Sequence, residues 1–147
     1  MKSILTILCL CAIAVAGHAQ QYNVTALYST NNVAKTNGSA SPNAVLGVTK
    51  FEDVAIELSA AGATAAMTTN TLTATFAKSA DGSTYETTGS LTVTLVGDGV
   101  SATNYVVTTA NVGAAGYLRL NTIAWNGTTT LVHAGVRVAR KPARFGN

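Results

Sequence analysis

The sequence predicts an all-β protein: an antiparallel β-sandwich, Ig-like or jelly-roll-like, of about seven or eight strands. Three observations predict it. Apolar residues recur with a period of two, which puts one face of each stretch on a core and the other in water. Thr fills many alternate positions, and its branched Cβ suits a pleated strand. Short clusters of Gly, Asn and Asp separate the alternating stretches and supply the reversals.

The chain has 147 residues, one domain's worth. Its first element is expected to be discarded. Lys2, an apolar run over 4–16 and the small residues of Gly17-His18-Ala19 have the order of a secretory signal peptide, residues 1–19, cleaved after Ala19. The run is too short for a transmembrane anchor. Cys9 and Cys11 lie inside it, each after a Leu, so neither has the small preceding residue of a lipoprotein cysteine. The remaining chain has no cysteine. It must be held by its core alone, without disulfides, which its size allows. Thiolate metal sites and cysteine nucleophiles are excluded.

The first expected strand covers 22–28. The polar segment 31–43, with Pro42 near its end, reads as a linker, so residues 20–43 are taken as an N-terminal strand and linker. The sandwich proper is expected over 44–141, beginning with "AVLGVT" at 44–49. In "DVAIELSA", Val54, Ile56 and Leu58 alternate with Ala55, Glu57 and Ser59. In "TLTATFAK", Leu72, Ala74 and Phe76 alternate with Thr71, Thr73 and Thr75. In "SLTVTLVG", Leu91, Val93 and Leu95 alternate with Thr92, Thr94 and Val96. Asp81-Gly82 lies between the last two and has the residue types of a hairpin turn, with Tyr85 opening the next strand. Further strands are expected at 104–109, 117–125 and 130–138. Pro142 cannot continue the last of these, leaving 142–147 as a basic tail.

Charge is sparse. After Ala19, eight Lys and Arg face six Asp and Glu, with the surplus at the C-terminus. Thr, Ser, Gly, Ala and Asn fill the surface instead, as in an exported structural protein. The recurring Val, Leu, Ile and aromatics exclude a disordered chain.

Few residues could carry chemistry. His133 is the only histidine after the signal peptide, and counting by twos places it on the face of Leu131. A Ser/His/Asp triad would need it, but no G-x-S-x-G elbow presents a serine. It reads as a strand histidine facing solvent or capped by a neighbour. Of the acids, Glu52, Asp53 and Glu57 share one strand and its approach, and Asp81, Glu86 and Asp98 lie in or near turns. No aromatic cleft accompanies an acid pair of the glycosidase kind. Asp81 and Asp98 are the candidate metal ligands, in oxygen-rich loops that suit calcium, though the spaced Asp/Asn series of calcium loops is missing. "GDGVSA" lacks the third glycine and the helix of a dinucleotide site. No cofactor is implied. Trp125 and Tyr117 lie eight residues apart on one expected strand, hence on one face if no bulge intervenes. With Arg119 and Asn121 they form a candidate glycan platform; the other reading is that Trp125 closes the core at the strand end, before the Asn126-Gly127 turn. Arg137, Arg140, Lys141 and Arg144 are candidates for an anionic partner. The sequons at Asn23, Asn37 and Asn126 arise easily in a Thr-rich chain.

The run "TATFAKSADGSTYETTGSLTVT", with "GYLRL" and "IAWNGTTTLVHAGVRVARK" after it, resembles small β-sandwich virion structural or decoration proteins of tailed phages and related bacterial surface modules. The resemblance spans about half of the exported chain and implies structural roles for Ser79, Asp81, Gly82, Tyr85, Tyr117 and Arg119. It carries no catalytic residue.

The expectation is therefore a non-enzymatic, secreted structural or adhesive protein, extracellular, on a cell surface or in the periplasm. Its partner would be itself, as an oligomer or polymer, or a larger surface, filament or virion assembly, with no specific nucleic acid. Strand 22–28 on its linker could complete a neighbour's sheet. The alternative is a secreted carbohydrate-binding module with a glycan as partner.

Overall fold

The computed structural model describes residues 23–31, 37–48, 52–63, 66–67, 69–87 and 91–140. The expected signal peptide, Lys141 and the expected basic tail lie outside them. Within them the chain forms nine strands: β1 (Asn23–Thr30), β2 (Gly38–Ala40), β3 (Ala44–Gly47), β4 (Asp53–Gly62), β5 (Thr71–Ser79), β6 (Leu91–Val96), β7 (Thr103–Asn111), β8 (Tyr117–Asn126) and β9 (Leu131–Arg140).

All pairings are antiparallel, and the strands form two sheets. One runs β1-β9-β4-β7. The other runs β2-β8-β5-β6, with β3 also on β8. β2 and β3 are two halves of one strand. Gly38–Ala40 lie opposite Trp125–Ile123, and Ala44–Gly47 opposite Leu120–Tyr117. Ser41-Pro42-Asn43 interrupts them, where Pro42 has no N–H for the ladder and Asn43 takes a φ of 50°. Counted so, eight strands alternate between the sheets, apart from the β5–β6 neighbours. That is a jelly roll, and it decides between the two sandwich types that periodicity left open.

The alternation sets the core. β4 reads exposed or half-buried at every second residue and turns Val54, Ile56, Leu58 and Ala60 inward, all at 0% exposure. Val136 and Val138 of β9 lie beside them in the same sheet, and Leu72, Ala74 and Phe76 of β5 with Leu118, Leu120 and Ile123 of β8 meet them from the opposite one. Each Val, Leu, Ile or Phe among them contributes about 1.5–3 kcal/mol relative to exposure.

Three expectations change. The sandwich begins at Asn23 and not at residue 44: β1 pairs with β9 of its own chain from Asn23↔Arg140 to Thr30↔Ala134 and buries Leu27. The linker 31–43 contains β2. β5 ends at Ser79 and β6 opens at Leu91, a longer connection than a tight hairpin, so Tyr85 lies between the strands.

Of the three bulges among the described pairings, at Leu27, Asn121 and Val132, the last two decide where candidate site residues point. Between β5 and β8 the register passes from Thr75↔Thr122 to Phe76↔Leu120, leaving Asn121 as the extra residue. Between β4 and β9 it passes from Ala61↔His133 to Gly62↔Leu131, leaving Val132 extra. A bulge sends the residues on its two sides to opposite faces relative to a plain count by twos.

Candidate functional site

The first bulge dismantles the expected Trp125–Tyr117 platform. Before it, Leu118 and Leu120 face inward and Tyr117 and Arg119 outward. After it, Ile123 and Trp125 face inward, and Trp125 is 8% exposed. Tyr117 stays at the surface and packs on Gly82, where an added Cβ would come 3.1 Å from its ring. The Arg119 guanidinium stands 4.2 Å over the Tyr85 ring, a cation–π contact, and its Nε–H donates to Asn121 Oδ1 at 2.7 Å. Beside Tyr85 a cleft of about 490 Å³ opens between Lys78, Ser79, Ala80, Thr84 and Glu86 on one side and the 112–115 turn on the other.

Asp81 and Asp98 lie in loops at opposite ends of β6, so the fold does not bring them together. Each carboxylate is occupied by its own loop. Asp81 Oδ1 accepts from the Ser79 hydroxyl and from the N–H groups of Ser83 and Thr84, and Oδ2 accepts from the Ser83 hydroxyl. Those bonds, the N–H of Thr84 first, hold its carboxyl far below the usual range. Asp98 Oδ1 accepts from the N–H groups of Ser101 and Val100, which lower its pKa to about 2. Both are turn-capping residues, and Gly82, at φ 79°, supplies the left-handed step just after Asp81. Among the described residues no group of three His, Cys, Asp or Glu is placed to hold a metal ion.

The described basic residues do not form one patch. Arg137 Nη1 lies 3.7 Å from Glu57 on the outer face of the four-stranded sheet. Arg140 Nη1 donates to the Gly47 carbonyl at 2.6 Å and ties the end of β9 to β3. Lys141 and Arg144 lie outside the described residues.

What the fold does assemble was not visible in the linear motifs. The edges β6 and β7 lie on one side of the sandwich. Neither strand contains Lys, Arg, Asp, Glu or Pro, and neither pairing has a bulge. Natural edges normally carry one of those protections. The β1 edge has a bulge at Leu27, and the β2–β3 edge is broken by Pro42. The unprotected side also displays Val96, Val100, Tyr105 and Val107, which are 64%, 83%, 75% and 56% exposed. Val96 alternates with buried Leu95 and faces out from the five-stranded sheet, whereas Tyr105 and Val107, opposite Ser59 and Glu57, face out from the four-stranded one.

The second bulge turns His133 to the outer face of the four-stranded sheet, away from Leu131, which is fully buried. There the Ser59 Oγ lies 3.2 Å from His133 Nε2, and Asn31 Oδ1 lies 2.6 Å from His133 Nδ1. Ser59 is 74 residues from His133, so only the β4–β9 register reveals the contact. The one local sign was Gly135 inside a strand, a residue that often marks a close approach.

No protein-family model matches the chain, and no curated protein matches it. Among solved structures it is similar to that of the infectious bursal disease virus Gx strain, with a TM-score of 0.45, 10% identity, and coverage of 85% of this chain and 34% of that one. It is similar to the C-terminal family 22 carbohydrate binding module of Clostridium thermocellum Xyn10B, with a TM-score of 0.42, 11% identity, and coverage of 89% and 91%. It is also similar to the structure of tomato aspermy virus, with a TM-score of 0.34, 11% identity, and coverage of 99% and 97%. The chain spans about a third of the length of the infectious bursal disease virus chains it matches. No residue role is carried over from these structures.

Proposed function

We propose that the protein is exported, loses residues 1–19, and serves as a structural jelly-roll unit that joins copies of itself edge to edge on a cell surface, filament or virion. The β6–β7 side carries this reading. It combines two uncharged, straight, proline-free edges with four exposed apolar side chains. A second copy adding its own β7 antiparallel to the first satisfies open backbone groups on both chains and covers Tyr105 and Val107. The glycan alternative keeps Tyr117, Arg119 and Asn121 on the outer side of β8 and loses Trp125 to the core.

Thr108 offers the test. It is on the core-facing side of β7, opposite Ile56, yet exposed because β7 is an edge. A lysine there is an inward-pointing charge of the kind that blocks edge pairing, while its stem can reach water. Residues 20–147 run on size-exclusion chromatography with light scattering are expected to be multimeric, and Thr108→Lys monomeric with an unchanged circular dichroism spectrum. A monomeric parent, or an unchanged multimer in Thr108→Lys, overturns the reading.

A further inference from the structure

We propose that Ser59 is an activated nucleophile, an acyl acceptor for activated esters, with His133 as its base and Asn31 as the residue that orients the imidazole. Asn31 decides the tautomer. Its Oδ1, 2.6 Å from His133 Nδ1, is a carbonyl oxygen and can only accept. In the neutral ring the proton is therefore on Nδ1, and Nε2 presents its lone pair. Ser59 Oγ, 3.2 Å from Nε2, donates its hydroxyl hydrogen into that lone pair. Nucleophile, base and orienting group stand in the order that acyl-transferring serines require.

Three strands build the arrangement. β4 supplies Ser59, β9 supplies His133, and Asn31 comes directly after the end of β1. Gly135 lies in register with both Ser59 and Ser29. A Cβ there would stand 2.6 Å from Ser59 Oγ and 3.1 Å from His133 Nε2. The glycine thus keeps the Ser–His contact open and leaves a bare floor beside it. Ser59 and His133 are half-buried and Asn31 exposed, so a small ester reaches them from solvent.

The surroundings limit the chemistry. At Ser59, β4 is paired on both sides, so the N–H groups of the strand that carries the nucleophile are committed to the ladder and offer no oxyanion hole. Amides and unactivated esters are then poor donors, and esters with a good leaving group are the substrate class. In the step, Ser59 Oγ bonds to the acyl carbon as its proton passes to His133 Nε2. The acyl carbon–oxygen bond to the leaving alkoxide or phenolate breaks, and the imidazolium returns the proton to that oxygen. The products are an O-acylated Ser59 and an alcohol or phenol. The site lies on β1, β9 and β4, and Tyr105 of β7 stands in register with Ser59 on its far side.

The probe is p-nitrophenyl acetate on residues 20–147, read by nitrophenol release and then by peptide mass mapping. An acetyl group on Ser59 is expected, absent in Ser59→Ala and formed about 100-fold or more slowly in His133→Ala. Asn31→Ala is expected to slow it and Asn31→Asp, which keeps an acceptor at Nδ1, to restore it. A purely structural role for Asn31 would not give that rescue. Gly135→Ala is expected to slow labelling while circular dichroism shows the sheet intact. Acetyl groups only on residues other than Ser59, or a Ser59 rate unchanged in His133→Ala, overturn the proposal.

Discussion

At the scale of single residues the two loop aspartates show how a short polar side chain replaces secondary structure. Asp98 accepts from the N–H groups of Val100 and Ser101, and its own N–H donates to Asn104 Oδ1, whose side-chain amide in turn donates to the Ser101 carbonyl. Asn104 is 7% exposed, so the loop between β6 and β7 is closed by a small network anchored in the fold. The bonds favour the charged carboxylate, which is why its pKa falls from 3.8 to about 2. Linkage sets the sign: a carboxyl with a depressed folded pKa adds stability that is fully present above its unfolded pKa and is lost as pH falls through the folded one. The 98–104 loop is therefore expected to be indifferent to pH above about 4 and to loosen between about 4 and 2. Amide shifts of Val100 and Ser101, tracked by NMR from pH 6 to 2, check it. A midpoint near that of a free aspartate would contradict the bonding pattern.

At the scale of elements, β1 is the informative strand. It enters from the N-terminus, lies against the last strand, and turns Leu27 and half-buried Tyr28 into the core. A chain beginning at Gly38 is expected to melt on the order of 10–20 °C lower, from the lost burial alone. A synthetic peptide of residues 23–31 is expected to raise the melting temperature again as its concentration rises. If the shortened chain melts like the parent, β1 is not a working member of the sheet. The same strands show what the sequence could disclose. β4, β5 and β6 were legible because their side chains alternate cleanly between Thr or small residues and Leu, Ile, Val or Phe. β2 was not, because Gly-Ser-Ala has no apolar alternation and is a strand only through its pairing with Ala124 and its neighbours. The bulges at Asn121 and Val132 were not, because an extra residue is defined by the partner strand. The first took Trp125 off the face of Tyr117 and into the core, and the second parted His133 from the face of Leu131 and set it where Ser59 and Asn31 cap it. Likewise nothing in "TNYVVTTAN" says that it is an edge; that is a property of sheet order.

At the scale of the molecule, the jelly roll makes nearly every pairing non-local. β1 meets β9, β4 meets both β7 and β9, and β8 reaches back to β2, β3 and β5. Only β5 and β6 are neighbours in both sequence and sheet. Long loops must close, at a cost in entropy, before distant contacts form, so folding is expected on the order of milliseconds to seconds. The starting point with the shortest loop is β5–β6, whose Val93 and Leu95 are nearly fully buried with Leu72, Ala74 and Phe76. The β1–β9 pairing closes the longest loop, from Asn23 to Arg140, and so is expected to form late. Substitutions should separate accordingly. Val93→Ala is expected to slow folding and leave unfolding nearly unchanged, while Leu27→Ala leaves folding nearly unchanged and speeds unfolding. Stopped-flow denaturant jumps on the two variants, each costing more than about 0.6 kcal/mol so that the ratio is interpretable, check the order. The reverse partition would mean that the outer pair β1–β9 closes first. In the expected order the unprotected β6–β7 edges exist before β1 closes the far side of the sheet, so edge-to-edge joining competes with completion of the fold. Thr108→Lys should then also raise the refolding yield at high protein concentration, an effect that a role for Thr108 in the finished assembly alone would not produce.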